Sequence, residues 1–266
     1  MTPPQIAAVS GGVGAPKGFR TAAVHAGVKK ASGALDVAVI AADTAVAAAA
    51  LFTTNLAQAA PVLVSKAHLR ETGGHARAVV VNAGCANACT GTQGMADANQ
   101  MAADVASALG CQASEVLVAS TGVIGVNLPI AKISRGIATT VSALARDRGS
   151  DTAKAIMTTD PFPKEHAVVV TTERGTFTVG GTAKGSGMIE PNMATMLGFL
   201  TTDAQVSPAL LQRALAESAE DTFNAITVDG ECSTNDSLFA LASGASGVTI
   251  DESLYPALLE IGRAHA

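Results

Sequence analysis

The sequence has no tryptophan, only one tyrosine and little charge. Asp, Glu, Lys and Arg make up 15% of its 266 residues, whereas hydrophobic residues make up 48%. A disordered chain has the opposite balance, so this composition predicts a folded protein whose core is rich in small side chains. The formal net charge is -5, and the densest basic spot is the pair at positions 29–30. Because nucleic-acid binding needs a basic surface, no nucleic-acid partner is expected.

Cysteine and histidine are too scarce and too scattered to indicate a disulfide framework or a metal site. The four cysteines are Cys85, Cys89, Cys111 and Cys232, and their irregular spacing disfavours a set of disulfides. Cys85 and Cys89 could share a helical turn and bind a metal, but no histidine completes a ligand set. We expect reduced thiols that pack as small apolar side chains, with neither metal nor cofactor.

Nothing in the sequence indicates a membrane segment. The first residues lack the charged start and apolar core of a signal peptide. The Ala-rich stretch at 34–51 is interrupted by Asp36 and Asp43, and Ala is a weak membrane residue. The expectation is a cytoplasmic protein without a membrane partner.

The hydrophobic pattern predicts alternating strands and helices. Strands are expected at 36–41, 78–82, 115–119, 196–200 and 237–242, and a hairpin at 166–171 and 175–180. Helices are expected at 92–109, 130–146, 209–223 and 252–265. The run at 45–50 has helical propensity although it follows a strand pattern. No internal repeat is visible, so the order predicts a layered α/β fold with mixed sheets.

The stretch richest in functional residue types is Lys184-Gly-Ser-Gly-Met-Ile-Glu-Pro-Asn-Met-Ala-Thr-Met-Leu-Gly-Phe199. It is not a Walker phosphate loop, because Lys184 precedes the Gly-Ser pair instead of following the glycine. It is not a hydrolase elbow either, because glycines flank Ser186 directly. On residue types alone, a Gly-rich turn before a buried strand is the simpler interpretation.

This stretch resembles the signature of the ornithine acetyltransferase family, whose chain cuts itself between the Ala and Thr of an Asn-Met-Ala-Thr-Met-Leu run. Five other segments match the family in the same order: Ala15-Pro-Lys-Gly-Phe19, Asn82-Ala-Gly-Cys-Ala-Asn-Ala-Cys-Thr90, Ser120-Thr-Gly-Val-Ile-Gly125, Met157-Thr-Thr-Asp160 and Val228-Asp-Gly-Glu-Cys-Ser-Thr-Asn-Asp236. The resemblance implies the family's N-terminal-nucleophile-like α/β fold. It also implies cleavage between Ala194 and Thr195, giving an α segment (1–194) and a β segment (195–266).

The chemistry of a threonine nucleophile agrees with this resemblance. A threonine hydroxyl reacts poorly unless a base lies beside it, and a chain that starts at Thr195 supplies its own α-amine as that base. An α-amine titrates near roughly 7.7–8.0, so a neutral fraction exists at physiological pH. Before cleavage the same nitrogen is an amide and cannot accept a proton. Self-cleavage and activation are therefore one event.

The resemblance also implies roles for residues outside that stretch. Thr121 and Gly122 are expected to form the oxyanion hole, through the threonine hydroxyl and a backbone N–H. Lys184 and Thr158 are expected to contact substrate together with Thr195; the neighbouring Thr159 stays open as an alternative to Thr158. Family members usually place Thr where this chain has Pro161, which removes a hydroxyl and an N–H.

The implied activity is ping-pong transfer of an acetyl group from N-acetylornithine to glutamate. The implied assembly is an α2β2 heterotetramer of cleaved chains, and acetyl-CoA is left open as a further donor. The alternatives are a related N-terminal-threonine aminopeptidase and a non-catalytic remnant. Family members continue with an Asp-Gly-Glu-Gly-Ala-Thr-Lys segment that helps to complete the substrate site, for which Asp229 and Glu231 are not substitutes. We therefore expect a C-terminally truncated relative with weak transfer.

Overall fold

The computed structural model describes residues 4–188 and 196–263. Within these ranges the chain forms nine strands and seven α-helices. The strands are β1 (Gln5–Ala8), β2 (Phe19–Val24), β3 (Val37–Phe52), β4 (His75–Cys85), β5 (Val116–Val123), β6 (Lys164–Thr172), β7 (Gly175–Lys184), β8 (Leu197–Thr202) and β9 (Ser237–Ala242). The helices are α1 (Ala60–Glu71), α2 (Gly91–Leu109), α3 (Ile130–Ser142), α4 (Gly149–Ile156), α5 (Pro208–Glu220), α6 (Tyr255–Leu258) and α7 (Glu260–Arg263).

The strands form one mixed sheet that changes direction within β3. Its order is β1-β6-β7-β8-β9-β3-β4-β5, with β2 also paired to β3. The pairing of β3 is irregular between Ala41 and Val46. The first half of β3 pairs with β2 and β4, which makes a first arm with β5, and its second half pairs with β9, which makes a second arm with β8, β7, β6 and β1. The pairs β4–β5 and β8–β9 are parallel, and the others are antiparallel.

Alternating side chains along the strands show how the two arms pack. Ile40 of the first arm shares a core with Phe199 and Phe239 of the second arm. Its neighbour Val39 belongs instead to a cluster with Met101 on α2 and with side chains of α1 and α3. The outer face of the second arm packs against α5, α6 and α7. Because strand side chains alternate between faces, the order of layers is helix, sheet, sheet, helix. This confirms the predicted layered mixed-sheet α/β fold.

The helical propensity at 45–50 was misleading, since these residues lie in strand β3. Ala48 packs into the core between the arms, whereas Ala49 packs on the side of α5, and each is only 2% exposed. Both also pair with β9, opposite Leu241 and Ala240. The helix preference of Ala over other ordinary residues is worth at most about 0.7 kcal/mol per residue, so burial on two faces and ladder hydrogen bonds override it.

Strand β5 ends the sheet, and helix α1 covers its edge. The Ser65 hydroxyl donates to the Val118 carbonyl oxygen at 2.8 Å and accepts from the Val118 N–H at 2.7 Å. The Nδ1 atom of His68 lies 2.8 Å from the Val116 carbonyl oxygen. These side chains take the place of a further strand, so an edge that could pair with another chain is satisfied internally.

Most other predicted elements are confirmed, with two differences at helix ends. Helix α3 ends at Ser142 and not at 146, because the chain turns to pair Ala145 with Thr21 of β2. The predicted final helix is split into α6 and α7, and Pro256 lies in the first turn of α6, where its missing N–H costs nothing. Within the described ranges, no helix is long and apolar enough to cross a membrane.

Candidate active site

The expected oxyanion-hole residues lie at the end of strand β5, beside the end of β4. Thr121 is buried, and Gly122 has a φ of +129°. Gly122 is in register with Gly84 of β4, and a Cβ atom on Gly122 would lie 2.3 Å from the Gly84 carbonyl carbon. Both the conformation and the space therefore require glycine at position 122.

A cluster of buried polar side chains holds the ends of β4 and β5. The Ser120 hydroxyl donates to Asn82 Oδ1 at 2.6 Å, and Asn82 Nδ2 donates to the Cys85 carbonyl oxygen at 2.9 Å. Asn235 Nδ2 donates to the carbonyl oxygens of Ala86 at 2.6 Å and of Ser120 at 2.9 Å. The chain just before β9 is thus fastened to the residue that precedes Thr121.

Asp236, the residue after Asn235, is hydrogen-bonded to the backbone just before β8. Strands β8 and β9 run parallel, with Leu197 opposite Ser237. Asp236 Oδ1 accepts the backbone N–H of Met196 at 2.9 Å, and the Ser237 N–H donates to the Met196 carbonyl oxygen at 3.1 Å. Burial raises the pKa of Asp236 to about 8, and the hydrogen bond from Met196 opposes this rise. Met196 directly follows Thr195, so the residue after the expected nucleophile is held at this point.

Lys184 ends strand β7, beside the start of β8. It lies opposite Leu197 in the ladder and is only 5% exposed. Burial lowers the pKa of Lys184, and the negative charges of Asp160 and Asp236 oppose that effect. A buried cation beside the strand that follows the expected nucleophile suits the binding of a carboxylate. Lys184 is therefore not a solvated surface lysine.

Asp160 joins the Thr158 segment to the end of β7. Its carboxylate accepts from Lys164 Nζ at 2.5 Å and from the backbone N–H groups of Gly185 at 2.9 Å and Thr158 at 3.2 Å. Burial alone would raise the pKa of Asp160, but these three hydrogen bonds hold it below its usual value. The turn that contains Pro161 is therefore well anchored. Thr158 and the alternative Thr159 are both exposed.

The predicted site residues fall into two groups and one pair that the structure does not describe. Ala194 and Thr195 lie outside the described residues. Of the other predicted site residues, Thr121 and Gly122 share one strand end, while Lys184 and Thr158 meet around Asp160. The sequence motifs contained Asn235, Asp236 and Asp160 without indicating their roles. The available signal was the position of Asn-Asp directly before a buried strand, where polar side chains need partners.

Metal binding finds no support in the residues described. No group of three or more His, Cys, Asp or Glu side chains among them could hold a metal ion. Cys85 is buried and donates to the Val126 carbonyl oxygen, whereas Cys89 is exposed. All four cysteines are free thiols.

Asp229 has a structural role within the described chain. Its Oδ2 atom accepts the Met188 N–H at 2.6 Å, and its Oδ1 atom accepts the Glu231 N–H at 3.3 Å. Met188 is the last described residue of the Gly-rich stretch after Lys184. Asp229 therefore fastens that stretch to the turn before β9.

Comparison with known proteins extends the resemblance to almost the whole chain. A sequence profile of the ArgJ family matches residues 20–263. The arginine biosynthesis bifunctional protein ArgJ of Symbiobacterium thermophilum is 51% identical over 240 residues, covering 90% of this chain and 59% of the relative. The same protein from Dehalococcoides mccartyi is 53% identical over 235 residues, covering 88% and 57%. The chain thus spans less than two thirds of the length of these curated relatives.

Solved structures agree with this relationship. The crystal structure of ArgJ from Bacillus halodurans has a TM-score of 0.66 and 37% identity, over 72% of this chain and 99% of that one. Ornithine acetyltransferase from Mycobacterium tuberculosis, solved with ornithine, has a TM-score of 0.64 and 40% identity, over 73% and 100%. A Burkholderia β-aminopeptidase, at 14% identity and a TM-score of 0.62, shares the fold alone. The family profile and these relatives lead to one conclusion: the chain belongs to the ArgJ family.

Proposed function

We propose that this chain carries the self-cleaving, acetyl-accepting part of an ornithine acetyltransferase, with Thr195 as the nucleophile. The observation that carries the proposal is the pair of contacts made by Asn235 and Asp236. Asn235 is bonded to Ser120, next to the proposed oxyanion hole, and Asp236 is bonded to Met196, next to the proposed nucleophile. A nucleophile and an oxyanion hole act on the same carbonyl group, so they must be neighbours.

Self-cleavage would create the catalytic base. Thr195 Oγ attacks the Ala194 carbonyl carbon, the C–N bond breaks, and the nitrogen takes up the hydroxyl proton. An ester between Ala194 and the Thr195 side chain results. Water then hydrolyses the ester, which leaves a carboxylate on Ala194 and a free hydroxyl and α-amine on Thr195.

Acetyl transfer would use the same groups. The Thr195 amine takes the Oγ proton as Oγ attacks the acetyl carbonyl of N-acetylornithine, and that proton leaves with the α-amine of ornithine. The α-amine of glutamate then attacks the acetyl ester, and its lost proton restores the Thr195 hydroxyl. Thr121 and the Gly122 N–H would stabilise the oxyanion in each step. Removal of one such donor typically costs on the order of 3 kcal/mol of barrier.

Lys184 is proposed to bind the carboxylate of the donor and acceptor amino acids. Both proposed substrates carry an α-carboxylate, and Lys184 is a buried cation beside the start of β8. Thr158 is proposed as a second contact, since Asp160 holds its backbone close to that of Gly185. The carboxylate would thus be recognised by a charge and a hydroxyl.

The length of solved relatives supports a division at residue 194. The Bacillus halodurans chain is matched over 99% of its own length by 72% of this chain. That share of 266 residues is close to the 194 residues that precede Thr195. We therefore propose that residues 1–194 and 195–266 become separate polypeptides.

Acetylation of Thr195 tests this function directly. The full chain is mixed with N-acetylornithine, quenched in acid and analysed by mass spectrometry under denaturing conditions. The fragment that begins at Thr195 should gain one acetyl group and lose it when glutamate is added, and Thr195→Ala should gain none. Acetyl-CoA in place of N-acetylornithine tests the second donor. A cleaved chain that gains no acetyl group but hydrolyses a small peptide would instead support an aminopeptidase.

A further inference from the structure

Two adjacent buried side chains before β9 hold two strands that do not pair with each other. Asn235 is 7% exposed and donates to the carbonyl oxygen of Ser120 on β5. Asp236 is 1% exposed and accepts the N–H of Met196 at the start of β8. In the sheet, β5 and β8 are separated by β4, β3 and β9. Ladder hydrogen bonds therefore do not set their relative position directly.

We propose that Asn235 and Asp236 form a positioning unit that fixes the oxyanion-hole strand relative to the peptide of the nucleophile. The inference rests on the proposed function, because it assigns the two residues a part in that chemistry. Asn235 acts through the Ser120 carbonyl on Thr121 and Gly122. Asp236 acts through the N–H of Met196, which belongs to the peptide unit shared with Thr195.

The need for such a unit follows from the layout of the fold. The proposed oxyanion hole lies on the first arm, and the strand that follows the proposed nucleophile lies on the second. Relative motion of the two arms would therefore change the distance between the hydrogen-bond donors of the hole and the nucleophile. Misplacing a reacting group by about 1 Å can cost on the order of a hundredfold in rate. Because Asn235 and Asp236 are consecutive, the two contacts are one peptide apart. A single peptide unit therefore connects the hydrogen bond to the first arm with the hydrogen bond to the second.

The orientation of Asn235 is fixed by all of its hydrogen bonds. Nδ2 donates to Ala86 and Ser120, while Oδ1 accepts the hydroxyl of Thr234 at 2.6 Å. The backbone N–H of Asn235 donates to the Ser233 hydroxyl at 3.1 Å. Both amide protons are used, so a carboxylate of the same shape would face two carbonyl oxygens and repel them. Asn235→Asp is therefore a nearly isosteric substitution that breaks the link.

Asp236 is tied to the substrate side as well. Lys184 and Asp236 influence each other electrostatically, and Lys184 is the proposed carboxylate-binding residue. Asp236→Asn keeps an oxygen that can accept from Met196, but this amide oxygen is a weaker acceptor than the carboxylate that Asp236 becomes above its pKa of about 8, and it carries no charge beside Lys184. The two substitutions therefore perturb the unit differently: Asn235→Asp moves the oxyanion-hole strand, and Asp236→Asn weakens the hold on Met196.

Each variant has a matched control in this chain. Asn87 is fully buried, donates from Nδ2 to the Gly94 carbonyl oxygen and accepts the Thr90 hydroxyl proton at Oδ1. Asn87→Asp therefore disturbs a similar set of hydrogen bonds at a residue that does not link the two arms. Asp203 follows the other end of β8, is 2% exposed and accepts the backbone N–H groups of Thr178 on β7 and of Lys17. Asp203→Asn is therefore the control for Asp236→Asn, since it makes the same substitution far from the proposed nucleophile.

The test measures the rate constant of self-cleavage and the single-turnover acetylation of Thr195 by N-acetylornithine. We expect Asn235→Asp to lower the cleavage rate and the maximal acetylation rate by about tenfold or more. The half-saturating concentration of N-acetylornithine should stay within about twofold, because the hole acts on the transition state. Asp236→Asn should also slow cleavage, chiefly above pH 8, where the Asp236 carboxylate is ionised. The double variant should lose about as much as the worse single variant, since parts of one unit are not additive.

Three results would overturn the inference. One is an unchanged maximal rate in Asn235→Asp and Asp236→Asn at a temperature where circular dichroism shows both folded. Another is an equal loss in the control variants, which would indicate a general effect of stability. If Asn235→Asp does not fold, Asn235→Ser replaces it. This variant must likewise lower the maximal acetylation rate while leaving the half-saturating concentration of N-acetylornithine unchanged. A wild-type chain that forms neither a Thr195 terminus nor an acetyl-enzyme would overturn the proposed function itself, together with this inference.

Discussion

Replacing Gly122 by alanine should damage both the fold and the chemistry at the end of β5. At a φ of +129°, a side chain is strained by about 1–3 kcal/mol. The new Cβ would also lie 2.3 Å from the carbonyl carbon of Gly84 and 2.6 Å from the nitrogen of Cys85. Both are backbone atoms within a parallel ladder, so the strands must separate, and such overpacking typically costs about 1–3 kcal/mol.

Gly125 provides the comparison for this substitution. Its φ is +79°, but no heavy atom lies within 4 Å of the position of its Cβ. Gly125→Ala should therefore cost only the backbone strain, about 1–2 kcal/mol. Gly122→Ala should lower the free energy of unfolding by about 2–6 kcal/mol, because strain and overpacking add.

Urea denaturation followed by circular dichroism measures both variants. A Thr195→Ala background should keep every chain uncut, so that one species unfolds. In the cleavable background, Gly122→Ala should also slow self-cleavage on the order of a hundredfold, because the N–H donor moves with the strand. If Gly122→Ala were no less stable than Gly125→Ala, the close approach of β4 and β5 would not constrain this position, and the reasoning would be refuted.

Substitutions at three further positions test other parts of the site. Thr121→Val should slow self-cleavage about a hundredfold on time-resolved gels, whereas Thr121→Ser, which keeps the hydroxyl, should stay within about tenfold. Lys184→Met should raise the half-saturating concentration of N-acetylornithine in the acetylation assay by about tenfold or more, since a charged hydrogen bond is lost. Asp160→Asn should lower the melting temperature at pH 7. Because the pKa of Asp160 is depressed in the fold, its stabilising effect is present above its unfolded value of 3.8 and is lost as pH falls further, so the difference should shrink near pH 3.

The elements that were predicted correctly have local signals. Helix α5 begins with Ser207 as N-cap, whose side chain accepts the Leu210 N–H, and with Pro208 in its first turn. Strand β9 is a short buried run whose predicted ends were correct. Helix α2 ends before Gly110, which has a φ of +68°. In each case neighbouring residues carry the signal for where the element begins or ends.

Elements that depend on distant partners were missed or assigned wrongly. Helix α1 was not predicted. Its Ser65 and His68 side chains bond to the edge of β5, about 50 residues further along the chain, and a local pattern does not show such contacts. The second half of β3 looks helical by composition, and only its pairing with β9 makes it a strand. Strands β1 and β2 and helix α4 were also missed. Local propensity cannot reveal partners of this kind.

The site shows the same division between local and long-range information. Motifs pointed to Thr121, Gly122, Thr158 and Lys184 as residue types, but they did not show what holds those residues. Asn235 bonds to a residue 115 positions away in the chain. Contacts over such separations arise only from the folding of the two arms onto each other. They become visible once the strand order is known.

The most direct test of the account is the covalent state of the purified wild-type chain. Intact mass under denaturing conditions, with N-terminal sequencing, should show two polypeptides, the smaller beginning Thr-Met-Leu-Gly. Thr195→Ala should give one uncut chain, because it removes the attacking oxygen. A wild-type chain that remains a single polypeptide after long incubation, with the same mass profile as Thr195→Ala apart from the substitution, would contradict Thr195 as a self-activating nucleophile.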